Sequence, residues 1–95
     1  MKIEYSKKAV KYIDTLDTPI KQRLKSGIEG LTKNPPMGNI KLMQSYADGT
    51  MRLMRLRVGS LRIVYRYSED EENKAKKLCI IDIDSRRDIY KYIPY

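Results

Sequence analysis

Five arginines and no acidic residue occur in the stretch "RLMRLRVGSLRIVYRY", which begins at Arg52. A guanidinium group keeps its positive charge at neutral pH and donates several hydrogen bonds in a fixed planar arrangement, which suits the oxygens of a phosphate. Each charge-assisted hydrogen bond of this kind contributes about 1.5–3 kcal/mol. Arginines gathered on one surface would therefore form an anion-binding site.

The elements that must position these arginines are predicted to be two β-strands joined by a tight turn. Both halves of the stretch are rich in Val, Ile, Leu and Tyr, and the dipeptide Gly59-Ser60 between them fits a two-residue hairpin turn in which Gly59 supplies a positive φ. Side chains alternate between the two faces of a strand. One face then carries the apolar pairs Val58–Leu61, Leu56–Ile63 and Met54–Tyr65. The other face carries the basic pairs Arg57–Arg62, Arg55–Val64 and Leu53–Arg66.

Like charges directly opposite each other in a sheet destabilise it by up to about 1 kcal/mol. Two interpretations of the basic face are open. Its arginines can splay into solvent or pair with acidic residues elsewhere in the chain. Alternatively, they can converge on one phosphate, whose hydrogen bonds would outweigh the repulsion.

The composition limits the kind of protein and of partner. The chain has 95 residues, which suits a single domain spanning 1–95. It carries 20 Lys and Arg residues against 12 Asp and Glu residues, a formal net charge of +8. A polyanionic partner, either RNA, DNA or an acidic protein, is therefore expected.

Residue types that are absent or rare exclude several chemistries. The chain has no His and only one Cys, Cys79, which excludes the usual zinc sites and an intrachain disulfide. Asp82 and Asp84 could share one face of a strand and hold Mg²⁺. It is favoured instead that they pair with the arginines or that Asp84 helps to cap the next turn, and no metal or other cofactor is expected. The absence of a secretory signal and of a long apolar run indicates a cytoplasmic protein without a membrane partner.

The remaining elements follow from periodicity and capping residues. A short strand at 2–5 precedes a helix that runs from the N-cap Ser6 to about Leu16, and a second helix has Thr18 as N-cap and Pro19 at its first position. This second helix is predicted to end at "KNPP". A weak strand lies around Ile40–Met43, the hairpin strands cover about 51–58 and 61–68, and a last strand at about 78–83 is predicted to be an inner one.

After this last strand, Ser85 is predicted to begin a short tail helix in which Arg86 and Tyr90 share one face. The order of elements predicts an α+β fold: an N-terminal strand and a helical hairpin packed on one face of a small antiparallel sheet. The arginine face would look outward, toward the tail.

The residues "RLRVGSLRIVY" closely resemble the signature strand pair of the RelE/ParE superfamily of type II toxin–antitoxin toxins, and "DSRRDIYK" resembles its C-terminal segment. The resemblance covers nearly the whole chain and implies a compact, microbial-ribonuclease-like fold with an acidic antitoxin as partner. It implies one of two activities. RelE-type members cleave mRNA in the ribosomal A site, by attack of the 2′-OH without a metal, whereas ParE-type members inhibit DNA gyrase. The ribosome-dependent endoribonuclease is the favoured expectation.

The resemblance also implies roles for individual residues. Arg62 matches an arginine that contacts the scissile phosphate, and Arg55 matches a strand residue of the catalytic set. Arg86, with Arg87 as the alternative, matches the C-terminal arginine, and Tyr90 matches a tyrosine that stacks on or orients the base. The predicted catalytic set is Arg55, Arg62, Arg86 and Tyr90. The predicted RNA-binding residues are Arg57, Arg66, Arg87 and Lys41.

One departure from the RelE pattern concerns proton transfer. Leu53 and Arg55 stand where the RelE type has two alternating lysines. Because arginine keeps its proton at neutral pH, it is a poor general base. Lys41, Tyr90 and a carboxylate such as Asp84 remain as alternatives for the proton acceptor.

Overall fold

A computed structural model describes residues 1–45 and 52–85 of the chain. Within these ranges the chain forms two helices and five strands, in agreement with the predicted α+β class. Their bounds are β1 Lys2–Tyr5, α1 Lys7–Asp14, α2 Thr18–Gly30, β2 Asn39–Ser45, β3 Arg52–Val58, β4 Leu61–Glu69 and β5 Lys76–Ser85. Neither helix of the described ranges has the length and apolar character needed to cross a membrane.

The start of α1 is the predicted one, because the Ser6 hydroxyl accepts a hydrogen bond from the backbone N–H of Ala9 at 3.0 Å. The start of α2 differs by one residue. Thr18 is already helical and Asp17 is the N-cap residue, although its side chain makes no capping hydrogen bond. The prediction was wrong because proline is tolerated throughout the first helical turn, where N–H groups have no partner in the helix. Pro19 therefore did not fix the first position.

The end of α2 also differs from the prediction. The helix ends at Gly30, before the "KNPP" segment, with Leu31 as C-cap. Backbone N–H groups of Leu31, Thr32 and Lys33 donate to carbonyls three residues earlier, at 3.0, 3.0 and 3.3 Å. Such tighter turns commonly finish a helix, so the prolines follow its end without setting it.

The sheet has the strand order β1-β5-β4-β3-β2. Strands β2 to β5 are antiparallel, as predicted, but β1 pairs with β5 in parallel, so the sheet is mixed rather than wholly antiparallel. A parallel pair needs a long connection between its strands, and here the rest of the described fold provides it. The inner position of β5 and a strand around Ile40–Met43 are both confirmed.

The hairpin has the predicted register. Val58 faces Leu61, Leu56 faces Ile63 and Met54 faces Tyr65, while Arg57 faces Arg62 and Arg55 faces Val64. The paired register ends at Met54 and Tyr65, and the predicted pair Leu53–Arg66 lies beyond it. Gly59 has a φ of 59°, and a Cβ added there would meet no atom within 4 Å. The turn therefore requires glycine for its backbone conformation and not for space.

The core lies between the helices and the apolar hairpin face. It joins residues of α1, α2 and the inner strands: Ala9, Leu24, Ile28, Leu31, Leu56, Leu61, Ile63, Tyr65, Leu78, Ile80 and Ile83. The helix α2 approaches β3 closely at Gly27, where an added Cβ would come within 2.7 Å of Val58 Cγ2. Burial raises the pKa of Tyr65, as expected for a phenol within this core. The basic face is thus left on the side of the sheet opposite the helices.

Ser6 holds two elements together, which gives a test of the fold. Its hydroxyl caps α1 and donates a hydrogen bond to the carbonyl of Ile81 in β5 at 2.6 Å. Replacing Ser6 with alanine removes both bonds and should lower the free energy of unfolding by about 1–3 kcal/mol, as measured by urea denaturation. Ser26→Ala, on the exposed surface of α2, is the matched control and should be neutral or slightly stabilising. Equal stability of the two variants would contradict the role given to Ser6.

Candidate phosphate-binding site

The basic face of the sheet carries side chains in two rows that cross four strands. The first row runs from β2 to β5 through the facing residues Asn39, Arg57, Arg62 and Asp84. The second row runs in the same direction through Lys41, Arg55, Val64 and Asp82. Neighbouring strands lie about 4.8 Å apart. The two rows therefore bring three arginines and two carboxylates onto one compact surface.

Arg62 lies at the centre of the first row and is buried, with 2% of its surface exposed. The sequence predicted an outward-looking arginine. The correct face was predicted, but the side chain is covered. One reason is that β4 is an inner strand, flanked by β3 and β5, so its side chains have neighbours on both sides.

Two nitrogen atoms of the Arg62 guanidinium also lack hydrogen-bond partners among the described residues. These atoms, Nε and Nη1, are both buried. A buried cation without a counter-charge costs several kcal/mol. An anion that accepted hydrogen bonds from these two atoms would remove that cost, and a phosphate has the required oxygens.

Arg55 and Arg57 flank Arg62 on β3 and have different environments. Arg55 is half-buried; its Nη2 donates to the Asn39 side-chain oxygen at 3.4 Å, and its buried Nε has no partner in the described part of the chain. Arg57 is exposed, and its Nε donates to the carbonyl of Gly59 at 3.3 Å. Arg55 thus has an unused donor near Arg62, whereas Arg57 is turned toward the hairpin turn and solvent.

The acidic residues of β5 do not neutralise these arginines. Asp82 is buried, and its Oδ2 lies 3.3 Å from Lys8 Nζ in α1, while its Oδ1 is buried without a partner within residues 1–45 and 52–85. Asp84 is half-buried, and its Oδ1 accepts a hydrogen bond from the N–H of Ser85 at 2.8 Å. Within the described ranges, no ion pair joins either carboxylate to an arginine of the basic face. The predicted pairing of acids with arginines is therefore not observed there.

Two further predicted site residues, Lys41 and Arg66, have different outcomes. Lys41 is exposed on β2 and faces Arg55, so it lies on the same surface. Arg66 faces Cys79 and is four positions from Arg62, roughly 13 Å along β4. Between them Val64 packs in a small apolar cluster with partly buried side chains. Arg66 is therefore on the predicted face but does not join the group around Arg62.

The predicted tail residues Arg86, Arg87 and Tyr90, and the tail helix that would carry them, lie outside the described residues. Among the residues that the structure describes, no group of three or more His, Cys, Asp or Glu side chains could hold a metal ion. The residue that sequence reasoning missed is Asn39. Its place beside Arg55 depends on the pairing of β2 with β3. The turn signal Asp48-Gly49 between these strands was not used to predict that pairing, and the register shift between Leu42 and Gln44 has no such signal.

Comparison with solved structures shows what this fold is similar to. Two solved structures share the fold. The archaeal RelE–RelB complex from Pyrococcus horikoshii OT3 has a TM-score of 0.68 at 19% identity, with 90% of this chain and 93% of that chain covered. The RelB–RelE antitoxin–toxin complex from Methanococcus jannaschii has a TM-score of 0.65 at 22% identity, with 96% and 99% covered. A comparison with curated proteins gives no match.

The family itself is shown by a sequence profile. The profile of the ParE toxin of type II toxin–antitoxin systems, parDE, matches residues 3–90. The chain belongs to this family, and it is a toxin of a type II toxin–antitoxin system. The resemblance to the RelE/ParE superfamily that the hairpin and tail motifs indicated is confirmed.

Proposed function

We propose that this toxin is a metal-independent endoribonuclease that cleaves mRNA on the ribosome, in the cytoplasm. The observation that carries the proposal is the buried guanidinium of Arg62, whose Nε and Nη1 have no partner among the described residues. A buried donor pair that has no acceptor in residues 1–45 and 52–85 is suited to an anion that arrives as a ligand. The backbone phosphate of RNA is such an anion.

The arrangement fits cleavage in which RNA supplies its own nucleophile. The 2′-OH attacks the adjacent phosphate, and negative charge accumulates on the phosphate oxygens in the transition state. Fixed donors of Arg62 and Arg55 would stabilise that charge, and removal of one such donor in other enzymes typically lowers the rate by about 10²–10³. Arg57 and Lys41, both exposed, would bind flanking phosphates. Arg66, Arg86, Arg87 and Tyr90 remain predicted contacts to RNA.

A second function, inhibition of DNA gyrase without any chemistry, is favoured by one observation. The profile that matches residues 3–90 is that of ParE toxins, and the resemblance to ParE-type members implies gyrase as the target. In that case the basic face would serve as a binding surface, and no proton acceptor would be needed.

The two functions are separated by one experiment. The toxin is induced in cells, mRNA 5′ ends are mapped, and supercoiling by gyrase is assayed in the same cultures. The endoribonuclease proposal expects fragmented messages with normal supercoiling, whereas the ParE-like alternative expects intact messages with impaired supercoiling. Intact messages and normal supercoiling together would contradict both and leave a relative that only binds its antitoxin. Induction of Arg62→Met supplies the control for general stress.

The natural partner is proposed to be an acidic antitoxin. Both structural neighbours are complexes with an antitoxin, and this chain has a net charge of +8. Attraction between exposed charges is screened over roughly 8–10 Å at physiological ionic strength.

This proposal predicts a salt-dependent complex. Raising NaCl from 50 to 500 mM should increase the Kd of the toxin–antitoxin complex by about tenfold or more, which is roughly 1.4 kcal/mol. Isothermal titration calorimetry measures it directly. A Kd that does not change over this range would indicate a mainly apolar interface and would contradict an electrostatic role for the basic residues.

A further inference from the structure

We propose that Asp84 is the group that accepts the proton of the attacking 2′-OH. This inference rests on the proposed endoribonuclease function and completes it. The position of Asp84 carries the inference, because Asp84 faces Arg62 directly in the ladder between β4 and β5. The Cα atoms of facing residues in an antiparallel pair lie about 4.5–5.5 Å apart. A phosphate held by Arg62 therefore lies within reach of the Asp84 carboxylate.

Asp84 has one oxygen fixed and one available. Its Oδ1 accepts the hydrogen bond from the N–H of Ser85, which orients the carboxylate. Its Oδ2 makes no hydrogen bond or ion pair within the described ranges, although Arg62 is the facing residue. A carboxylate and a guanidinium on the same face that do not pair with each other leave both groups able to contact a substrate.

The other candidates on this face are placed less well. Lys41 is exposed on β2, at the opposite end of the rows from β5, and lysine side chains ordinarily keep their proton at neutral pH. Asp82 is buried, its Oδ2 is engaged by Lys8, and it faces Val64 rather than an arginine. Among the carboxylates of the basic face, Asp84 alone faces the arginine that would hold the phosphate.

The proposed step balances as follows. The Asp84 carboxylate takes the proton from the 2′-OH while the 2′-oxygen forms a bond to phosphorus. The bond between phosphorus and the 5′-oxygen of the next nucleotide breaks, and that oxygen takes a proton from water. The products are a 2′,3′-cyclic phosphate and a 5′-OH end, and Asp84 then returns its proton to the solvent. Arg62 and Arg55 hold the negative charge on the phosphate oxygens throughout.

A structural role for Asp84 makes a different prediction from a catalytic one. If Asp84 only positioned Arg62, its loss would weaken phosphate binding and cleavage together. If Asp84 is the proton acceptor, its loss lowers the rate of cleavage, by about 10²–10⁴ for a general base. Binding should then be unchanged or tighter, since a negative charge beside the phosphate has been removed. Cleavage and binding therefore have to be measured separately.

The experiment uses the full-length toxin and ribosomes programmed with mRNA. Cleavage is followed in single turnover, and binding is measured with the same mRNA carrying a 2′-deoxynucleotide at the scissile position, which cannot be cleaved by this route. The variants are Asp84→Asn, Asp84→Glu and the control Asp14→Asn, an exposed residue at the end of α1 that changes net charge equally.

We expect Asp84→Asn to lose about 10²–10⁴ in rate with undiminished binding, Asp84→Glu to recover part of the rate, and Asp14→Asn to match the parent. Retained binding also reports that the variant is folded. Cleavage by Asp84→Asn at the parental rate would overturn the proposal, and so would a parallel loss of binding. Failure of the parent itself to cleave would overturn the endoribonuclease function, and this inference with it, whereas the first two outcomes leave that function intact.

Discussion

Replacing Arg62 with methionine should abolish growth inhibition and the proposed mRNA cleavage while leaving the protein at least as stable as the parent. Methionine is unbranched and flexible, so it can fill most of the space of the buried arginine without its charge. The guanidinium has no compensating partner for Nε and Nη1 in the described part of the chain, and removal of a buried charge in favour of an apolar group is often neutral or stabilising by about 1–4 kcal/mol. The rate of cleavage should fall by at least about 10²–10³.

The measurements are single-turnover cleavage on programmed ribosomes and thermal unfolding of the purified variant. Arg57→Met is the matched control: the residue is exposed, faces Arg62 and should affect the rate less. A toxic Arg62→Met variant, at equal soluble level, would remove Arg62 from the site. A large fall in its melting temperature would mean that Arg62 stabilises the fold through its charge, contrary to the interpretation of its unpartnered atoms.

Replacing the next residue, Ile63, with alanine should lower the stability of the fold and leave the activity of the folded protein almost unchanged. Ile63 is completely buried on the helix side of the sheet, where it faces Leu56 in β3 and Ile83 in β5. Truncation leaves a cavity and should lower the free energy of unfolding by about 2–5 kcal/mol. For a domain of this size each kcal/mol corresponds to roughly 4–8 °C in melting temperature. The activity per folded molecule should stay near the parental value.

Thermal unfolding and single-turnover cleavage at a temperature below the transition test this prediction. Leu42→Ala, at a side chain that is 48% exposed, is the control and should change the free energy of unfolding by no more than about 0.5 kcal/mol. An Ile63→Ala variant with the melting temperature of the parent would show that neighbouring side chains repack to fill the cavity. An Ile63→Ala variant that is fully folded but has lost its activity would show that packing of the core determines the geometry of the site.

The hairpin was the part of the fold that could be predicted best. A two-residue turn at Gly59-Ser60 fixes which residues face each other, and alternation then assigns every side chain of β3 and β4 to one face. All five facing pairs from Met54 to Val58 follow from that single local feature. The same reasoning placed Arg55, Arg57 and Arg62 on one surface before any tertiary contact was known.

Features that depend on distant segments could not be predicted in the same way. The burial of Arg62 depends on β5 lying beside β4. The parallel pairing of β1 depends on the free edge of β5, where β1 adds to the sheet. The hydrogen bond from Arg55 to Asn39 depends on the register between β2 and β3. The register shift between Leu42 and Gln44 and the pairing of β5 with β4 have no local signal that sets them. Asp84 was therefore predicted as a candidate near the arginines, but its place opposite Arg62 was not.

The position of β5 between β4 and β1 bears on when the toxin can become active during its own synthesis. This strand is the last element of the described part of the chain, yet it supplies Asp84 to the first row, pairs with β1 from the start of the chain and contributes Leu78, Ile80 and Ile83 to the core. Contacts between segments so far apart in sequence form late. A nascent chain still held in the ribosome before β5 emerges therefore has its arginines but neither a closed core nor the carboxylate that faces Arg62. The carboxylate that faces Arg62 is in this way joined to the arginines only after the strands that carry them have emerged.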